Sequence, residues 1–212
     1  MQFPFSINAF QFEQQTIYLA VPDVEAVQES YRRGDISFPY WSKVWPAAIA
    51  LANFITSHFH YIQNKKVLEL AAGLALPSLA AAKYAASVRC TDHEAATLEF
   101  INASLKKNSI TNVNIDVLDW KHLPANIEAE VLLLSDVNYE PSNFASLQAL
   151  LQGFLQQSTT IILSTPQRLM SKPFIESLLP FCVHQEEAQV QDNAAPVAIS
   201  LLVLKAINQA QP

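Results

Sequence analysis

Two runs in this chain, Val131-Leu132-Leu133-Leu134 and Thr160-Ile161-Ile162-Leu163, show no alternation of apolar and polar residues. A strand with one face in water alternates, because successive side chains point to opposite sides of the sheet. A run without alternation must be covered on both faces, which is the setting of parallel strands sandwiched between helices. Parallel neighbours need long crossovers, so the sequence should also supply the helices. It does. Residues 66–70, 87–91, 113–118, 131–135 and 160–163 read as strands, and 76–86, 94–108, 141–156 and 172–179 as helices. This βα rhythm predicts an α/β fold built on a doubly wound, mostly parallel sheet.

Both ends depart from the rhythm. Residues 3–12 and 15–21 alternate well enough for a pair of strands, and 24–33 read as a helix followed by a loop through Gly34 and Pro39. Pro46 stands where a first helical turn accepts proline, and 47–59 continue as an Ala-rich buried helix. At the other end, 184–190 and 197–207 are strands separated by 191–196 with no helix between them, which predicts a C-terminal antiparallel hairpin. Five βα repeats closed by this hairpin give a seven-stranded sheet. The whole chain, 1–212, is expected to be one domain, with 1–45 contributing N-terminal strands, helix and loop, and 46–212 a Rossmann-like core.

Half of the residues are hydrophobic and 15% are charged, a composition that buries a core. The formal charge of −6 argues against a protein that tracks nucleic-acid phosphates. Cys90 and Cys182 sit in apolar strand-like runs and read as buried structural thiols. The histidines are scattered, with His58 and His60 at a helix end, and the sequence points to no metal site. Residues 1–12 lack the features of a signal peptide, and no apolar stretch reaches the ~18 residues of a membrane span. A cytoplasmic protein without a membrane partner is expected.

In open α/β sheets, ligands bind beyond the carboxyl ends of the strands, where strand order reverses. The first strand of the rhythm runs into Glu69-Leu70-Ala71-Ala72-Gly73-Leu74-Ala75, and small residues at such a turn let backbone approach a ligand. The chain has only three glycines, so one at this turn is informative. The next strand ends at Asp92, close to the ~20 residues expected between a nucleotide-binding turn and the carboxylate that grips a ribose. Asp92 alone is equally compatible with capping the helix that follows. Together in one βαβ unit, the turn and the carboxylate favour an adenosine-like or NAD-like ligand over one phosphorylated at that point.

Further segments extend the pattern. Val44-Trp45-Pro46-Ala47-Ala48, Val67-Leu68-Glu69-Leu70-Ala71-Ala72-Gly73, Leu76-Pro77, Thr91-Asp92, Leu118-Asp119-Trp120 and Asp136-Val137-Asn138-Tyr139-Glu140-Pro141 fall in the order and spacing of one family. Over about residues 36–205 the chain resembles the METTL21-like protein methyltransferases, class I enzymes that use S-adenosylmethionine and whose best-known members methylate protein lysines. The resemblance implies S-adenosylmethionine as cofactor and a protein as substrate. It implies that Trp45 packs near the methionine portion of the cofactor, and that Glu69 and the Ala71–Gly73 backbone face its amino-acid end. Asp92 would bind the ribose, Trp120 would lie beside the adenine with Asp119 near its amine, and Ser135 and Asp136 would close the pocket. Tyr139 would border the acceptor. The residue-level alternatives are that Trp45 and Trp120 are core aromatics, that Glu69 is solvated or paired with Lys65 or Lys66, and that Tyr139 only starts a turn.

One departure stands out. The family's turn usually reads Glu-Leu-Gly-Ala-Gly-Thr-Gly, and here Ala71, Leu74 and Ala75 replace Gly, Thr and Gly. If the backbone at residue 71 needs positive φ, the added methyl strains the turn and narrows the cofactor channel. Methyl transfer requires the acceptor lone pair to be held ~3–3.5 Å from the methyl carbon and in line with the breaking bond. A lysine acceptor, with its ordinary pKa near ~10.4, must also lose a proton first. Aromatic walls from Tyr139 with Trp41 or Tyr40 would favour the neutral amine, and Asp136 would orient it. No covalent nucleophile is expected. The alternatives are a nucleic-acid or small-molecule N-methyltransferase, since Asp136-Val137-Asn138-Tyr139 stands where amino-methylating nucleic-acid enzymes carry Asn/Asp-Pro-Pro-Tyr/Phe, and a degenerate binding module. Acceptor recognition is expected from loops around 28–43 and 166–173.

Overall fold

The computed structural model describes residues 3–124, 126–192 and 195–206. The chain opens with a hairpin, β1 (Phe5–Phe12) and β2 (Gln15–Pro22), paired antiparallel as a separate two-stranded sheet. Helix α1 (Val24–Arg32) follows, its first turn capped by the Asp23 carboxylate, which accepts from the Ala26 N–H. Then come α2 (Pro46–Ser57), β3 (Lys66–Glu69), α3 (Leu76–Ala81), β4 (Ser87–Asp92), α4 (Thr97–Asn108) and β5 (Val113–Val117). The second half contains β6 (Val131–Ser135), α5 (Phe144–Gln156), β7 (Thr160–Pro166), α6 (Lys172–Leu178), β8 (Cys182–Asp192) and β9 (Ala195–Leu204).

The main sheet has seven strands in the order β5-β4-β3-β6-β7-β9-β8. The first five in that order run parallel, β9 runs antiparallel to β7, and β8 antiparallel to β9. Strand order therefore reverses between β3 and β6. The apolar runs behave as their patterning requires. Val131 and Leu133 pack into one core with α2, α3 and α4, while Leu132 and Leu134 pack into a second with α5 and α6. All four side chains are buried. The β1–β2 hairpin covers α3 and α4, where the Ser104 hydroxyl accepts from the Ala20 N–H and Gln15 donates to the Ala80 carbonyl.

Between β5 and β6, where the sequence reads no helix, the described residues hold a short 3-10 turn, Trp120–His122, and Leu118, Trp120, Leu123 and Ile127 cover the second face there. Two differences from the sequence expectation have physical causes. Helix α3 stops at Ala81 although alanines continue, because Asn112 donates to the Ala82 and Ala85 carbonyls and turns the chain towards β4. β7 continues past Leu163 to Pro166, because Ser164 is buried with its hydroxyl donating to the Ala47 carbonyl. The hairpin strands also start earlier than expected, at Cys182 and Ala195, and the anticipated end at Ile207 lies outside the described residues. No helix among the described residues is long and apolar enough to cross a membrane.

Candidate active site

At the carboxyl ends of β3, β4 and β6 lies a cavity of about 620 Å³, at the reversal of strand order. Its floor is the turn after β3. Ala71, Gly73 and Ala75 all take left-handed backbone, with φ of 53°, 55° and 64°. The zigzag presents the 71–76 backbone to the cavity. A Cβ at Gly73 would meet the Trp41 carbonyl oxygen at 3.5 Å, an ordinary contact, so it is the φ angle and not space that favours glycine there. Ala71 and Ala75 bear the left-handed conformation with a methyl attached, at a cost of about 1–2 kcal/mol each.

Two acids fix the turn. Asp92, at the end of β4, is nearly buried and accepts from the Gly73 N–H at 2.8 Å and the Glu94 N–H at 2.9 Å. It lines the cavity. It does not cap α4, which starts at Thr97 without a side-chain cap. Glu69 stands behind the turn, outside the cavity lining. Neither solvent nor Lys65 or Lys66 meets its carboxylate, which is fully buried and accepts from the Ser78 N–H at 2.9 Å and from the Ser78 hydroxyl. Its other oxygen has no partner. Burial, opposed by the two Ser78 bonds and reinforced by Asp92, pushes the Glu69 carboxyl up to about 8, so at neutral pH it is mostly uncharged.

Asp119 and Trp120, adjacent after β5, both line the cavity. Asp119 caps the 3-10 turn through the Lys121 N–H and reaches the His122 ring at 2.8 Å. Burial raises its carboxyl, but these two partners outweigh it and leave the pKa lowered. Trp120 borders both the cavity and the second core. Trp45, also in the lining, precedes α2 with its indole N–H on the Tyr40 carbonyl at 2.8 Å, and Lys43 lies over its ring. Ser135 and Asp136 close the end of β6.

Asp136 has a partner that sequence reasoning missed. Its backbone is left-handed, and both carboxylate oxygens are taken by the two terminal nitrogens of Arg168, a residue just beyond β7. That bidentate pair keeps the guanidinium charged and ties two strand ends together. A cation one strand over from the switch point was the available signal. Trp41 is a core residue more than a wall, 5% exposed and stacked on Phe100. The open wall is instead a run of exposed rings, Phe38, Tyr40 and Tyr139, extended away from the cavity by Tyr31, with successive centroids from Tyr31 onwards 5.4, 4.4 and 5.2 Å apart. Partial burial and the charges of Glu140 and nearby acids raise the Tyr139 hydroxyl pKa, which keeps the phenol protonated.

A doubly wound sheet with the antiparallel β9–β8 extension and a strand-end cavity at the reversal defines the Rossmann-like methyltransferase fold. Solved structures agree. The T. thermophilus 16S rRNA N2 G1207 methyltransferase RsmC matches with a TM-score of 0.64 at 13% identity, over 95% of this chain and 50% of that one. An rRNA methylase from Streptococcus thermophilus matches at 0.55 and 9%, over 77% and 99%. A family model described as lysine methyltransferase matches residues 35–180, and the chain belongs to that family. Among curated relatives, the histone-arginine methyltransferase METTL23 of Mus musculus is 31% identical over 128 residues, 58% of this chain and 51% of the relative. The Homo sapiens METTL23 is 29% identical over 66% of this chain and 80% of its own length. The protein N-lysine methyltransferase METTL21A of Xenopus tropicalis is 33% identical over 59% and 60%. The match thus spans about half of the mouse relative.

Proposed function

We propose that this chain is an S-adenosylmethionine-dependent N-methyltransferase whose acceptor is a protein lysine. The observation that carries the reading is the cavity at the strand reversal, with a left-handed backbone floor pinned by Asp92 and a charged lining dominated by carboxylates. Asp92, Glu94, Asp119, Asp136 and Glu140 face it, against Lys43, Lys121 and Arg168. A sulfonium cofactor and an ammonium acceptor are both cations, so this balance favours both. Family membership supports the same reading, as do the lysine-methylating METTL21A and the AdoMet held by the RsmC structure.

Bound there, the cofactor supplies an electrophilic methyl on positive sulfur. The chain's residues do the rest. In this reading Asp92, with lone pairs beyond the two backbone donors, accepts from the ribose hydroxyls. Trp120 covers the adenine face, Asp119 approaches its amine, and Trp45 flanks the methionine portion. Glu69 acts indirectly, by holding the start of α3 beneath the turn. The ladder ending in Tyr40 and Tyr139 excludes water from the amine and lowers its pKa, while Asp136, braced by Arg168, orients it.

Calorimetric titration with S-adenosylhomocysteine tests the cofactor reading, and saturable binding is expected. Incubation with methyl-labelled cofactor and a lysate tests the acceptor. Label should enter proteins, survive nuclease and appear as methyllysine after hydrolysis. Label lost on nuclease treatment favours a nucleic-acid acceptor, methylarginine replaces lysine with the acceptor type of METTL23, and absence of binding at millimolar ligand leaves only a degenerate module.

A further inference from the structure

At the end of α2 away from the cavity, three side chains from distant parts of the sequence meet. His58 caps the C-terminus of α2, and His184 and Glu186 project together from the edge strand β8. Glu186 Oε1 lies 3.0 Å from His58 Nε2 and 2.8 Å from His184 Nε2. One donor atom from each residue lies within 4.8 Å of the other two. All three side chains are partly accessible, at 28%, 31% and 38%.

The contacts of His58 call for positive charge beside Glu186. Its Nδ1 is 3.2 Å from the Phe54 carbonyl oxygen, which only accepts, so the contact is a hydrogen bond when Nδ1 carries the proton. In the neutral ring Nε2 then presents a bare lone pair to a carboxylate oxygen. That contact is repulsive unless a second proton or a metal ion supplies positive charge between them. A backbone carbonyl holding one ring nitrogen while the other faces the remaining ligand groups is the outer-shell arrangement that orients metal-binding histidines. Stacking on Phe54, with centroids 4.5 Å apart, fixes the ring further.

We propose that His58, His184 and Glu186 form a site for a zinc-like divalent ion that clamps the end of α2 to the edge strand β8. Two imidazoles and a carboxylate suit zinc over magnesium or calcium, and their partial exposure leaves a fourth position for water. The twelve residues of α2 put the site about 18 Å from the cavity, too far to touch anything bound there. The same helix begins at Pro46 beside Trp45, so the clamp steadies one wall of the cavity from its far end.

The test uses the full chain, stripped of metal with a chelator, titrated with zinc chloride by calorimetry and melted with and without it. One equivalent should bind and raise Tm, since an ion that binds only the folded state stabilises it. His184→Asn and Glu186→Gln should melt like the metal-free parent and lose about a hundredfold in zinc affinity. Should either variant not fold, imidazole NMR of the parent decides, with the His58 and His184 ring signals shifting on zinc addition and those of His60, His93 and His122 staying put. Absence of saturable binding, unchanged affinity in both variants, or shifts confined to the other histidines overturns the site.

Discussion

The turn after β3 and the end of β6 do similar jobs by different means. Both leave a central strand at the sheet's reversal, and both use left-handed residues to do so. The β3 turn is backbone architecture, with three left-handed residues locked by Asp92 on Gly73 and by Glu69 on Ser78. The β6 end is side-chain architecture, with Asp136 braced by Arg168 and Tyr139 joined to a ladder of exposed rings. Shape specified by backbone suits an invariant ligand, and side chains on loops suit a variable one. On the proposed function, the first half holds the cofactor and the second presents the acceptor.

The comparison breaks most visibly if turnover and cofactor affinity are separated. Asp136→Asn keeps the shape and tolerates the left-handed backbone, and should lower turnover about 10²–10³-fold. Its S-adenosylhomocysteine affinity should barely move, and equal losses in both would erase the distinction. Asp92→Asn should do the reverse, weakening ligand affinity by about 10–100-fold in a titration while turnover at saturating cofactor stays close to the parent.

Glu69 sharpens the comparison through pH. The folded chain keeps its proton up to about 8, whereas the unfolded chain releases it near the ordinary value of 4.5. The folded state therefore binds the extra proton, and this contribution is whole below the lower value and lost as pH rises through the upper one. Melting curves should show Glu69→Gln gaining on the parent between those limits, and parallel curves would mean that the carboxyl ionises in place. The smallest effect belongs to the floor. Ala71→Gly and Ala75→Gly should each relieve about 1 kcal/mol of backbone strain, raising Tm by about 2–4 °C in a calorimetric scan. No gain would indicate that the methyls' packing offsets the strain.

Much of the fold was legible because burial on both faces leaves a mark at every residue of a strand. The runs from Val131 and Thr160 located the sheet's centre, and the missing helix between the last strands announced the hairpin. What stayed hidden depends on partners far along the chain. Ala82 to Ala86 read as helix until Asn112 ends it, and Ser164 reads as a strand's end until the Ala47 carbonyl takes its hydroxyl. In the cavity, Trp45, Asp92, Asp119, Trp120, Ser135, Asp136 and Tyr139 do converge. Glu69 lies behind it because an acid at a strand end reads alike whether it faces a ligand or a helix start. Arg168 went unnoticed because an ion pair across strands leaves no local pattern.

The methyls on Ala71 and Ala75 carry one more consequence. Glycines at those positions would let the bend sample many shapes before a ligand arrives, and capture would then have to freeze them. With alanine, that ordering is already accomplished as the domain folds, so the nucleoside meets a rigid cradle. Uptake should accordingly follow a single kinetic phase, with a second, slower one emerging once both methyls are removed.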